Sequence, residues 1–82
     1  MGSAILLDEA LELLRNLGFE VRQEHLDGQG GGLCRIDRRQ SLFIDLDTSL
    51  ESQLDSCIDA LRTHTDIESI FVSPALRERL QR

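Results

Sequence analysis

Residues 30–64 read GGGLCRIDRRQSLFIDLDTSLESQLDSCIDALRTH, and this stretch decides the fold. Three glycines open it. Leu33 to Asp37 and Ser41 to Leu46 then follow as two strands, with a short turn expected near Arg38 and Arg39. So short a link makes the two strands an antiparallel hairpin, although the turn lacks the favoured Asn-Gly pair. Asp47-Thr48-Ser49 opens a helix, and Thr48 with Glu51 has the spacing of a capping box. Leu50, Leu54, Cys57, Ile58 and Leu61 form an apolar stripe at helical spacing, so the helix runs to about Thr63.

On the N-terminal side, Leu6, Leu7, Ala10, Leu11, Leu13, Leu14 and Leu17 recur at helical spacing, with Asp8, Glu9, Glu12 and Arg15 on the other face. This predicts an amphipathic helix from about Ala4 to Leu17, capped by Ser3 and ended by Gly18 in a left-handed turn. Phe19 to His25 alternates as a half-buried strand, with Phe19 and Val21 inward and Glu20, Arg22 and Glu24 outward. Asp27 to Gly32 is a connection with four glycines. On the C-terminal side, Asp66 to Ser69 is a turn, and Ile70-Phe71-Val72 is a short fourth strand. Ser73-Pro74 starts a last helix, Ala75 to Leu80, with Ser as cap and Pro in the first turn.

The order is α-β-β-β-α-β-α. It predicts an α+β fold: a small two-layer domain with a mainly antiparallel sheet and two helices packed on one face. No repeat or linker divides residues 1–82, which read as a single domain.

Composition excludes several functions. A net charge of -6 works against sequence-independent binding to nucleic acid or to an anionic membrane. Three Phe and no Trp or Tyr make no base-stacking platform. No run approaches the ~20 apolar residues of a membrane span. The first apolar run, Ala4 to Leu7, is broken by Asp8 and Glu9, so no signal peptide is expected. Met1-Gly2-Ser3 is either native or vector-derived, and Leu6 stands where a myristoylation signal needs Ser or Thr. Two cysteines without an export signal read as reduced thiols in the cytoplasm.

Each candidate chemistry has a plainer alternative. The glycine loop Asp27 to Gly32 invites a phosphate reading, but a strand follows it rather than a helix N-terminus, and it has no Lys. His25, Cys34, Cys57 and His64 are the soft metal ligands, and strand and helix parity lets them share one layer as a metal or thiol-redox module. No close ligand pair such as Cys-x2-Cys supports that module; two core thiols and two rim histidines are the simpler reading. Glu51, Asp55 and Asp59 form an acidic stripe on the second long helix, read as a solvated face partly balanced by Arg62. Arg77, Arg79 and Arg82 read as a solvated basic end. No catalytic constellation stands out, so no enzyme activity and no cofactor are expected.

The sheet face away from the helices carries the remaining signal. Leu42, Ile44 and Leu46 face the core, which sends Ser41, Phe43 and Asp45 outward. If Cys34 and Ile36 face inward, Leu33 joins Phe43 on the open face, among Arg22, Glu24 and Arg35. Leu33 and Phe43 are therefore the candidate interaction residues, with a second copy of the chain (a homodimer) or another protein as partner.

Leu17-Gly18-Phe19-Glu20-Val21, Gly31-Gly32-Leu33, Ser41-Leu42-Phe43-Ile44-Asp45 and the helix from Glu51 to Leu61 form a progression over about residues 4–64. It resembles the front of the ImmA/IrrE-type zincin-like metallopeptidases. That resemblance implies a helix bearing His-Glu-x-x-His. Here the chain reads Cys57-Ile58-Asp59-Ala60-Leu61-Arg62-Thr63-His64. The zinc ligands and the general base are absent, and no site residue carries over. Leu33-Cys34-Arg35-Ile36 and Ser73-Pro74-Ala75-Leu76-Arg77 also resemble a small uncharacterised bacterial protein family, which implies no assigned role.

Overall fold

Strand β3, Arg39–Asp45, is the middle of the sheet. The structure, a computed structural model, describes residues 2–64 and 67–82. Strand β2, Gly32–Ile36, pairs antiparallel with β3, placing Leu33 opposite Leu42 and Cys34 opposite Ser41. Strand β1, Glu20–Glu24, lies on the other side of β3 and runs parallel to it, with Val21 opposite Leu42. The sheet order is β1-β3-β2, so the sheet is mixed rather than mainly antiparallel. The hairpin is as expected, but its turn is Asp37-Arg38, one residue earlier than expected; both have positive φ, 51° and 70°. That is the signature of the mirror-image turn that matches strand twist.

The mixed sheet follows from the glycine loop, which is no hairpin-like link. It carries the chain across the end of β3, from one edge of the sheet to the other. Asp45 holds it there. This carboxylate is 2% exposed. One oxygen accepts the Leu26 N–H (3.0 Å) and the Asp47 N–H (2.9 Å), and the other accepts the Gly30 N–H (2.9 Å). Burial opposes its ionisation, but the N–H groups of Asp47, Gly30, Leu26 and Gly28 outweigh burial and hold the carboxyl below the usual carboxylate range. Asp47 repeats the device, accepting from His25 Nδ1 (2.8 Å) and the Asp27 N–H (2.9 Å). The crossing is so close that a Cβ at Gly31 would stand 1.7 Å from the Phe43 carbonyl oxygen. Only glycine fits there.

Helix α1, Ser3–Asn16, and helix α2, Leu50–Arg62, pack on each other and on one face of the sheet, α1 over β1 and α2 over β3. Gly18, at φ 96°, ends α1: its N–H reaches the Arg15 carbonyl and the Phe19 N–H the Leu14 carbonyl, the paired bonds of a Schellman motif. Leu7, Ala10, Leu11 and Leu14 of α1 meet Leu54, Cys57, Ile58 and Leu61 of α2 over Phe19, Leu42 and Ile44. Each large side chain buried in this way contributes roughly 1.5–3 kcal/mol.

Local details differ from expectation. Gly2 caps α1, while Ser3 lies inside the helix and donates to Glu51. Ser49, not Thr48, caps α2 by accepting the Ser52 N–H (3.1 Å), and Thr48 donates to the Asp45 carbonyl instead. This frame leaves Leu50 half-exposed, outside the core stripe. The sixth place in the element order holds a 3-10 turn, Ile67–Ser69, and 70–72 follow with no ladder partner among the described residues. Val72 is buried but Phe71 points away, 88% exposed. Asp66 lies outside the described residues. Helix α3, Pro74–Leu80, starts on Ser73 as expected. Glu9 of α1 clamps that cap, accepting from the Ser73 N–H (2.8 Å) and hydroxyl (2.6 Å). At the other end, Arg62 donates to the carbonyls of Arg79, Leu80 and Arg82.

Two outcomes follow from the crossing. Gly31→Ala is expected to cost about 2 kcal/mol or more in urea unfolding, whereas Gly32→Ala, with open space at its Cβ, costs less than about 0.5 kcal/mol. Asp45→Asn removes an acceptor oxygen and turns an amide N–H towards N–H donors. The Asp45 carboxyl titrates lower when folded than when unfolded, so its stabilisation is present above about pH 4 and lost as pH falls through the folded value. The melting-temperature gap between wild type and Asp45→Asn should therefore be wide at neutral pH and narrow in acid.

Candidate functional site

Strand β2 is the least covered element of the molecule. All five of its residues are exposed, because the helix layer lies over β1 and β3 and stops short of it. Among the described residues no strand lies beside its outer edge. In a two-residue hairpin, Ile36 and Arg39 close the ladder, so the main-chain groups of Cys34 face β3 and those of Leu33 and Arg35 point outward.

The pairing also fixes the faces. Leu33 lies opposite Leu42 and so on the helix side, not the open side expected from sequence. The side chain lies near Ser56, Asp59 and Thr63 of α2, in a shallow groove of about 260 Å³. Cys34 and Ile36 take the open face with Phe43. The reason is arithmetic: a two-residue turn ties odd-numbered positions of β2 to even-numbered positions of β3. Phe43 is on the open face as expected, half-buried under Arg22, whose guanidinium carbon is 5.9 Å from the ring centre. Arg22 is itself held by Glu24 (3.2 Å) and Glu20 (3.8 Å). Leu33 (39% exposed), Ile36 (49%) and Phe43 thus surround one hairpin on both its faces. Among the described residues Arg35 and Arg38 form no ion pair, and Asp59, which lines the groove, pairs with Arg62 (3.5 Å).

The four soft ligands do not converge. Cys57 is in the core and Cys34 is on the opposite, open face of the sheet. His25 is exposed and bonded to Asp47, with no hydroxyl or thiol bonded to its ring among the described residues. The His64 ring lies 6.3 Å from Phe19. Among the described residues, no group of three or more His, Cys, Asp or Glu could hold a metal ion.

The acidic stripe on α2 is balanced from α3 as well as by Arg62. Arg79, only 14% exposed, bonds Glu51 and lies 3.4 Å from Asp55. The Ser3 hydroxyl, and then Arg79, hold the Glu51 carboxyl below its usual range. Arg79 is therefore a packing residue, not part of a solvated basic end. A cleft of about 340 Å³ is lined by Gly18, Arg38, Arg39 and His64. The C-terminal ends of α1 and α2 lie beside it, and their partial negative charge accounts for basic side chains there without a ligand.

Sequence reading missed Asp45, Arg62 as a cap for α3, and Phe71. Asp in a central strand is disfavoured by propensity, and that was the available signal for Asp45. The two thiols should behave oppositely. Burial pushes the Cys57 thiol up to about 12. A maleimide is expected to modify Cys34 in the native protein and Cys57 only after denaturation, read by mass spectrometry of peptides.

No helix among the described residues is long and apolar enough to cross a membrane. Comparison with protein-family models, with curated proteins and with solved structures finds no match, so the hairpin must be understood from its own geometry.

Proposed function

We propose that this chain is a small non-enzymatic protein-contact domain that associates with a second copy of itself. The observation that supports this most is strand β2, an exposed edge with apolar side chains on both faces. Natural sheets protect such edges with charge, proline, bulges or a covering element. This one carries a single charged side chain, Arg35, over its five residues, and no proline or covering helix. Leu33, Ile36 and Phe43 are the contact residues. Free thiols on opposite sides of the sheet fit the reducing conditions of a cytoplasm.

Sedimentation velocity from about 1 μM to about 500 μM tests the reading. A reversible monomer–dimer equilibrium is expected. Ile36→Lys, at a half-exposed position, should weaken it at least about tenfold, which is ~1.4 kcal/mol, while leaving the melting temperature within a few degrees. A single monomeric species throughout the range would overturn the proposal.

A further inference from the structure

Resting on that reading, we infer that two copies join by antiparallel pairing of β2 with β2 about a two-fold axis beside Cys34, to form one continuous six-stranded sheet. Several independent constraints select this arrangement.

The first is symmetry. A two-fold axis that pairs a strand antiparallel with its own copy stands perpendicular to the sheet. It keeps both helix layers on one side, and it passes beside a residue rather than between two. Only residues within β2 qualify. The second is hydrogen bonding. Leu33 and Arg35 have the outward main-chain groups, so an axis at Cys34 lets each Leu33 exchange both bonds with Arg35 of the other copy. Gly32 then meets Ile36, and the full strand is used. An axis at Arg35 sets two like charges opposite each other. An axis at Leu33 asks Gly31 to pair outward, although it is pressed against the Phe43 carbonyl.

The third constraint is charge. β2 runs from an acidic end to a basic one. Asp59 lies in the groove with Gly31 and Leu33 at its start; Arg35 lies towards its finish, before a turn in which Asp37 stands beside Arg38 and Arg39 pairs with Glu20 (3.9 Å). Antiparallel pairing about Cys34 brings Arg35 of each copy across from Leu33, and so next to Asp59, of the other. Arg35, which makes no ion pair among the described residues, acquires an acidic neighbour. The helix layer leaves most of this space open because it packs on β1 and β3 and reaches β2 only around Leu33.

The two Cys34 residues form a non-hydrogen-bonded pair on the axis, with Cα atoms about 4.5 Å apart. That is within disulfide reach, which gives a direct readout. In the full chain, brief treatment with diamide, which accepts the two electrons of the thiols, should yield a disulfide-linked dimer. The linked dimer is lost in Cys34→Ser and kept in Cys57→Ala. In reducing buffer, Arg35→Glu should raise the dimer dissociation constant at least about tenfold, and Arg35→Glu with Asp59→Arg should restore it. Phe71→Ser, on the other exposed apolar site, should leave it unchanged. A dissociation constant unmoved by Arg35→Glu, absence of the Cys34-linked dimer, or loss of association in Phe71→Ser overturns this pairing while leaving self-association intact. A wild type that is monomeric throughout overturns self-association itself.

Discussion

The Asp45 carboxylate is the constraint on which the rest depends. It sits at the end of the central strand, nearly removed from solvent, and its oxygens take N–H donors from both sides of the glycine loop and from the chain entering α2. A buried charge without partners is costly, so the loop and the carboxylate stabilise each other. Together they decide topology. Because the loop is drawn over the end of β3, β1 and β2 are kept on opposite edges, and β1 meets β3 in parallel. Gly31 admits this crossing, since any side chain there would strike the backbone of β3.

The same topology accounts for the uncovered hairpin. With β1 and β3 side by side, the inward apolar residues Phe19, Val21, Leu42 and Ile44 lie towards one side of the sheet. α1 and α2 settle over that patch and not over the sheet's midline. β2 supplies one apolar side chain, Leu33, to the helix face, too little to draw a helix across. A fourth strand could have covered the edge, but 70–72 are committed elsewhere: Val72 enters the core and Ser73 is clamped by Glu9. The helices thus satisfy the core while leaving one edge unprotected.

What the sequence revealed is what local physics controls. Helix α1 ends at Gly18, and α3 starts at Ser73-Pro74, because capping depends on a few adjacent residues. The α+β class and the β2–β3 hairpin were legible for the same reason. The parallel placement of β1 was not, since it rests on bonds between Asp45 and residues 15 to 19 positions away. The faces of β2 were misread because Cys34 and Ile36 look like core residues. Hairpin register outranked that apolarity and turned them to the open side, with Leu33 inward. The site was half legible: Phe43 stands where expected, and Leu33 belongs to the same hairpin but to its other face.

A net charge of -6 opposes the approach of two copies only at long range, where salt screens it. At physiological ionic strength, interactions beyond about 8 Å are largely screened. Contact between two copies would therefore be governed by the charges near β2 and not by the sum over the molecule. Residues 35–39 hold three arginines against one aspartate, whereas the acids of α1 and α2 lie mostly on the helix layer. The turn itself reflects that local balance. Arg38 occupies a left-handed position where glycine would sit without strain, at a cost of order 1–2 kcal/mol. There its charge lines the cleft beside the C-terminal ends of α1 and α2, whose partial negative charge offsets part of that cost within the single chain.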